Sequence, residues 1–498
     1  MIIIGAIVGI IVLNSMTAPF CTGAICVPEE GEENLKMYGV AFMDDCTGIC
    51  AGTQYVECEG VILDPREYNY TELLILNSTF CEYELIHDYD YEIWSWTDLN
   101  ATRDNLSASY ILMRDLTTFD ADYLTFNDPT TDGWNPIGTT ALPFTGEFNG
   151  NWRSIDGLHT TTTMRGGLFH TIYSASISNL FLTEVNATSM QVGGLAGSIK
   201  YTTINNVLVT GSILGIEESE AGGLVGISSD SIVISSSTTV DITTNSTMFS
   251  AYAGGLIGTS SNTTIYNCNS YGTLSTTQNH MHGGLIGGTS LTGATIVNKS
   301  HSSVIVNAPN GMWVGGLIGY LGTDTIITNS YATGNVTGND RVGGLIGDTG
   351  GGTIINSYAT GYVTGTTNVG GLIGAGVPIV TNSYWDNITS GQTTSAGGTP
   401  FNTTHMTTPY GTFNPPNSPD GPYHTWDFDN TWEHDTWTIN DGYPTLQYEF
   451  TGETCTQHWE EDTGTGTTGG ILGYIICLLP VLAALGILAI AILGVVIM

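Results

Sequence analysis

The sequence predicts an all-β protein: a right-handed parallel β-helix, or solenoid, of about eight Gly-Gly-Leu repeats, with a short capping helix and a C-terminal transmembrane helix. Three observations predict it. The tripeptide Gly-Gly-Leu begins at Gly166, Gly193, Gly222, Gly254, Gly283, Gly315, Gly343 and Gly370, and self-similarity at a steady interval marks a stacked-repeat architecture. Between these signals lie short apolar runs separated by Gly, Asn, Thr and Ser, the pattern of strands joined by tight turns. Composition agrees, with 65 glycines and only 16 prolines in 498 residues.

Taken in chain order, residues 1–18 read as a signal peptide or an N-terminal anchor. Ile2 to Leu13 has the length of a signal-peptide apolar region, although no Lys or Arg precedes Lys36. Residues 19–92 form a Cys-rich segment with Cys21, Cys26, Cys46, Cys50, Cys58 and Cys81. Outside the cell that density reads as disulfides, and the spacing lacks the paired units of common zinc sites. The pairing stays open. Residues 93–165 lead into the array and cap it, 166–392 are the solenoid, 393–450 a C-terminal cap and 451–470 a Thr/Gly stalk. Residues 471–498 carry no charge and are long enough to cross about 30 Å of hydrocarbon, so they read as a membrane anchor.

A single repeat cannot bury its apolar face, but stacked repeats can, because like side chains rest on one another and the backbone pairs along the stack. At about 4.8 Å per coil, eight coils make a rod on the order of 40 Å long. The paired glycines suit a corner that needs close backbone approach or positive φ. Asn206, Asn267, Asn298, Asn329, Asn356 and Asn382 follow the glycine pairs at similar offsets. Stacked asparagines bond to one another and to turn backbone, so these six are expected to form a structural ladder. Asn298 is the only one of them inside a glycosylation sequon and is expected to be poorly modified.

Nine Lys plus Arg against 46 Asp plus Glu leave a net charge of −37, and the basic residues are scattered. Such a field repels a phosphate backbone, which excludes nucleic acid as a partner. Further sequons at Asn69, Asn77, Asn100, Asn105, Asn186, Asn245, Asn262, Asn335, Asn387 and Asn402 are candidate N-glycosylation sites of an exported chain.

The repeat, best preserved as Val-Gly-Gly-Leu-Ile-Gly at 314–319 and 342–347, resembles the GLUG-motif proteins, adhesin-like surface proteins of bacteria and archaea. The likeness extends upstream through Ile93 to Leu116, Trp134 to Gly138 and Pro143 to Leu158. Downstream it includes Asn382 to Gln392, Trp426 to Phe428 and Thr436 to Leu446. The resemblance implies a cell-envelope or adhesive role. The motif also occurs in metallopeptidases that cleave immunoglobulin A; those carry a separate zinc-protease domain, and His-Glu-x-x-His does not occur here.

Catalysis on a β-helix would need facing carboxylates or a base beside a cation site. Acids of the array such as Asp230, Asp241, Asp324, Asp340 and Asp348 lie in different units and recur at no common repeat position, so no catalytic residue and no enzyme is expected. His280, His282 and His301 read as loop histidines rather than a metal set, and no metal or cofactor site is expected. The acidic cluster His424, Asp427, Asp429, Glu433, His434 and Asp435 would at most attract a structural calcium, but it lacks EF-hand spacing. The aromatics Trp426, Phe428, Trp432, Trp437 and Tyr443 read as an end cap, with a carbohydrate platform as the sharper alternative. The resulting expectation is a membrane-anchored extracellular protein that displays its solenoid for adhesion or ligand binding, with glycans, another cell surface or neighbouring copies as partners. The alternatives are a structural envelope or virion-surface component and a polysaccharide lyase or hydrolase. The loops between Gly222 and Trp313, where repeat lengths vary most, are the expected contact surface.

Overall fold

The computed structural model describes residues 89–245, 251–277, 280–291 and 293–407, short pieces between 422 and 446, and four strands between 56 and 87. The chain divides into two compact units, Met1–Asp90 and Tyr91–Met498. In the first, Val56–Glu57, Gly60–Ile62, Glu72–Asn77 and Glu82–His87 pair antiparallel in sequence order. The six cysteines, Asn69 and the terminal segments 1–18 and 471–498 lie outside the described residues. Among the described residues, no helix is long and apolar enough to cross a membrane.

The second unit is a parallel β-solenoid of about eight turns. Seven consecutive coils each give one strand to a parallel face: Phe169–Tyr173, Ala196–Lys200, Val225–Ser229, Ile257–Ser261, Ile286–Thr289, Ile318–Leu321 and Ile346–Thr349. A second run stacks Ile232–Ile234, Thr264–Tyr266, Ile296–Asn298, Ile326–Thr328, Thr353–Ile355 and Ile379–Thr381 in register. The leucines of the repeat, from Leu168 through Leu195, Leu224, Leu256, Leu285, Leu317 and Leu345 to Leu372, are all fully buried. Each contributes about 1.5–3 kcal/mol by leaving water. Their backbones bond coil to coil, Leu256 N to Leu285 O at 2.9 Å, Leu285 N to Leu317 O at 2.8 Å and Leu317 N to Leu345 O at 2.9 Å.

Apart from Gly167, at φ 139°, the glycine pairs answer to close approach rather than to positive φ. A Cβ on Gly315 would run into the carbonyl oxygen of Ile318 in its own corner, and one on Gly316 into the carbonyl oxygen of Gly344 in the next coil. The corner closes only if both positions lack a side chain.

Parallel pairing begins before the first Gly-Gly-Leu. Tyr91–Ile93 pairs with Ser109–Leu112, which pairs with Glu147–Asp156, which pairs with the strand Ser176–Val192. The short helix spans Trp96–Ala101 and continues into a 3₁₀ turn at Thr102–Asp104. The spacing of helix formers predicts a start at Thr97 and an end at Leu106, but the cap is Ser95. Its hydroxyl accepts from Asp98 N at 3.1 Å, and Asp98 Oδ2 accepts in turn from Trp94 N at 3.0 Å, a reciprocal capping arrangement. Trp96 and Leu99 are buried beneath it, with Trp96 edge-on to Trp134.

At the other end, Thr399–Phe401 adds a parallel strand beyond Tyr384–Asp386. The C-terminal pieces lie against a column of tyrosines on the flank of the last coils. Tyr331 and Tyr358 stack at 4.9 Å, and Tyr358 stacks on Tyr443 at 6.1 Å. Tyr358 Oη donates to Pro444 O at 2.6 Å, and Trp426 Nε1 donates to Asn382 O at 3.1 Å. Trp426 and Tyr443 are therefore buried in a second, aromatic core rather than open as a platform. Trp437 lies outside the described residues.

Replacing Gly315 with Ala forces the corner apart against two backbone segments. The expected loss exceeds about 3 kcal/mol, the range of exceptional single substitutions, measured as a fall in the midpoint of chemical unfolding. A Gly315→Ala protein as stable as the parent would show that the corner can widen.

Candidate functional site

Outside the glycine corner, two columns of side chains face each other across the bend. The residue two places before the six glycine pairs from Gly193 to Gly343 gives Gln191, Glu220, Tyr252, Met281, Trp313 and Arg341; the residue five places after the first glycine of the five from Gly222 to Gly343 gives Ile227, Thr259, Gly288, Tyr320 and Asp348. Coil-to-coil register aligns each column, with Glu220 beside Tyr252, Tyr252 beside Met281 and Met281 beside Trp313. Thr259, Gly288, Tyr320 and Asp348 align in the same way. Between the columns runs a groove of about 510 Å³, lined among others by Glu220, Tyr252, Met281, Trp313 and Tyr320.

The groove has an aromatic wall. His280 meets Tyr252 at 5.2 Å and Trp313 at 5.6 Å, and Trp313 meets Tyr320 edge-on at 6.1 Å. Burial holds the His280 imidazole below its usual range, which favours the neutral ring, and pushes the Tyr252 and Tyr320 phenols up. Gly288 opens the floor, where its neighbours in the column carry Thr259 and Tyr320. A Cβ there would meet only the mobile sulfur of Met281 at 2.9 Å and the ring of Tyr252 at 3.5 Å.

Charges sit at the ends and are paired. Arg165 Nε donates to Gln191, and Gln191 Nε2 donates to Glu220 Oε2 at 2.7 Å. Burial raises Glu220 above the ordinary carboxyl range, against the hydrogen bond from Gln191 and the charge of Arg165. At the far end Arg341 lies 5.7 Å from the Trp313 ring centre and holds Asp348 at 3.3 Å and Asp340 at 3.5 Å. Burial alone would raise Asp340, but hydrogen bonds from Thr367 and Asn368, with Arg341, bring it below its ordinary value. Asp340 and Asp348 thus share one guanidinium. Asp230 is held elsewhere by Asn262 at 2.8 Å, and Asp241 by Thr273 at 2.7 Å.

The three histidines are not brought together as one set. His280 packs between Tyr252 and Trp313. His282 is fully buried where neighbouring coils carry Ala253 and Val314, and His301 stacks on Tyr331 at 4.6 Å and bonds to Tyr271 at 2.9 Å. Among the described residues no group of three or more His, Cys, Asp or Glu is placed to hold a metal ion.

Asn206, Asn267, Asn329, Asn356 and Asn382 occupy left-handed corners with φ between 47° and 55°. Asn206 Nδ2 donates to Asn179 Oδ1 at 3.1 Å and Asn179 Nδ2 to Asn149 Oδ1 at 3.3 Å, so the run starts two coils earlier than repeat spacing indicates. Asn267 Nδ2 donates to Ser235 Oγ at 3.2 Å, Asn329 Nδ2 to Asn298 Oδ1 at 3.3 Å and Asn356 Nδ2 to Asn329 Oδ1 at 3.4 Å. Asn298 sits one residue early, at the end of the strand Ile296–Asn298, and Lys299 takes the left-handed corner in its place.

Beside the asparagines runs a serine column that repeat reading passes over. Ser330 Oγ donates to Thr328 O at 2.8 Å and accepts from Ser300 N at 3.3 Å. Ser357 repeats both bonds one coil on, at 2.9 Å to Ile355 O and 3.3 Å from Ser330 N. Cys268 holds this position in its own coil, its thiol directed at Tyr266 O at 3.3 Å, and burial pushes that thiol up to about 12.

Of the sequons, Asn105, Asn186, Asn245, Asn262 and Asn335 are exposed, and Asn100, Asn387 and Asn402 are half-buried. Asn77 lies on a strand of the first unit. Asn402 caps the turn Thr403–Met406, accepting from His405 N at 2.9 Å.

The family model of the GLUG motif matches residues 310–337, the coil that carries Trp313 and Tyr320. The chain carries the GLUG motif. Curated relatives of this GLUG array include an immunoglobulin A1 protease of Streptococcus sanguinis, 31% identical over 214 residues that make up 42% of this chain and 10% of the relative. Halomucin of Haloquadratum walsbyi (strain DSM 16790 / HBSQ001) is 36% identical over 187 residues, 33% of this chain and 2% of the relative. A solved IgA1 protease superposes with a TM-score of 0.38 at 17% identity, covering 65% of this chain and 25% of that one. The GLUG chain thus spans a small part of the length of its curated relatives. The expectation of a protein that is not an enzyme is corrected by these relatives, since one of them is named a protease and a GLUG array is therefore no argument against catalysis.

Cys268→Ser restores the residue that this corner position carries in neighbouring coils, so the substitution is expected to change stability by less than about 1 kcal/mol. In the folded parent, Cys268 is expected to resist maleimide at pH 8 and to react only after unfolding, as followed by peptide mapping; labelling in the native state would show that the corner opens.

Proposed function

We propose that this chain is an extracellular surface protein whose GLUG solenoid, right-handed in its winding, presents the groove beside the glycine corner for adhesion or ligand binding. The observation that carries this reading is the open aromatic groove itself, built from outward positions that the fold leaves free to vary. A concave site with a few placed polar groups is the usual form of a binding site. Residues 1–18 are the export signal or N-terminal anchor, 471–498 the single membrane span, and the cysteines of 19–92 form disulfides. The groove crosses the coils between Gly222 and Trp313, where repeat lengths vary most, which supports these coils as the contact surface.

The protease names of the relatives favour a second reading, in which the array belongs to a proteolytic protein and the groove holds its substrate. Incubating the full chain with immunoglobulin A1 separates the two: new heavy-chain fragments would replace display by proteolysis as the primary activity.

Amine-reactive, membrane-impermeant biotin is expected to label the chain on intact cells that express it. Lys200 and Lys299 lie in the array, and deleting residues 471–498 is expected to release the labelled chain to the medium. Labelling only after lysis would overturn the surface reading, and retention after the deletion would overturn the anchor.

A further inference from the structure

From the groove we infer that its ligand is a neutral glycan chain lying along the solenoid axis, with sugar faces on Tyr252, Trp313 and Tyr320. This rests on the reading of the groove as a binding site and names what it binds. The first support is shape and surface. The rings stand on alternate coils along one axis, Tyr252, then Met281 over the open floor of Gly288, then Trp313 beside Tyr320. An extended polysaccharide repeats on a similar scale, and each sugar offers an apolar C–H face to a ring and hydroxyls at its edge.

The second support is charge. Arg165 and Arg341 are engaged with Gln191 and with Asp340 and Asp348, Lys200, in register with the lining Ser229, pairs with Asp230 at 3.8 Å, and the chain as a whole carries −37. An acidic glycan would meet repulsion from this net charge, with these three cations already engaged. Glu220 at one end, with Ser229, Ser261 and Ser290 along the rim, supplies polar partners for uncharged hydroxyls.

The third support bears on one rival occupant, a peptide held by strand addition, which needs an open sheet edge. Here both strands that form the groove are already paired on either side: Tyr252–Gly254 lies between its neighbours in the coils before and after, and so does Ile286–Thr289. The wall offers side chains and no free edge.

Affinity electrophoresis of the full chain through gels containing mixed-linkage β-glucan, glucomannan or dextran tests the inference, with carboxymethylated glucan as the anionic counterpart. Retardation by at least one neutral polysaccharide is expected. Trp313→Ala should weaken it about tenfold or more, as loss of a stacking ring does. Gly288→Tyr fills the floor with the residue that the next coil carries at Tyr320 and should weaken binding similarly without unfolding the chain, whereas Tyr362→Ala, on an exposed ring remote from the groove, should change nothing. Matched circular dichroism and melting curves separate loss of binding from loss of fold. No retardation by any neutral polysaccharide, or stronger retardation by the carboxymethylated one, overturns the inference. Retardation unchanged by both groove variants overturns the groove as the site as well. An immunoglobulin or other protein ligand lost on Trp313→Ala, with no glycan bound, keeps the groove and refutes the sugar.

Discussion

The approach of one coil to the next at the glycine corner governs the rest of the molecule. With no Cβ at either glycine, the backbone of Gly316 comes against the carbonyl of Gly344 one coil away, and the leucine that follows turns into the interior. That contact fixes the register of every strand after the corner, because a slip of one residue would turn the leucines outward. It also fixes the angle between the strand before the corner and the strand after it. The groove is the outer side of that angle.

Two further polar columns steady the corners that glycine does not occupy. The asparagines tolerate left-handed backbone because their short amide bonds locally, and Lys299 and Ser235 show that the position accepts other residues where neighbours supply the hydrogen bonds. The serines act differently. Each hydroxyl bridges its own turn to the amide of the preceding coil, so a buried N–H that would otherwise lose water gains a partner. Cys268 keeps the donor half of this arrangement, its thiol reaching the Tyr266 carbonyl as the serines reach theirs.

How much of this could be read from the sequence follows from what each feature repeats. Gly-Gly-Leu repeats in identity, so the solenoid and its buried leucines were legible. Asn149 was missed because it precedes the first glycine pair, Asn179 was passed over although it follows Gly166 at the offset at which Asn206 follows Gly193, and Asn298 was placed one residue off the corner that Lys299 holds. The serine column was hidden because serine and threonine are common at every turn of this chain. The groove was hidden for a deeper reason: its two columns share a position in each repeat but no residue type, and they meet only once the bend between two strands is known. The C-terminal aromatics were recognised as packing residues, but the flank they cover is set by Tyr331, Tyr358 and Tyr384, whose signal is the recurring Asn-Ser-Tyr at 329–331, 356–358 and 382–384. The non-enzyme expectation is overturned by the name of a relative, while Asp340 and Asp348, apart in the repeat pattern, converge on Arg341 as ion pairs.

Inward and outward positions of the same repeat therefore bear different constraints. A buried leucine is tied to its counterparts above and below, and exchanging it for another size leaves a cavity or a clash in two interfaces. The position two residues before the glycines touches solvent on one side and accommodates Gln191, Glu220, Tyr252, Met281, Trp313 and Arg341 on one continuous backbone. A solenoid built in this way can change the side chains that line its groove, coil by coil, without altering the corner that holds it together: the repeat specifies a scaffold and leaves the outward residues unspecified.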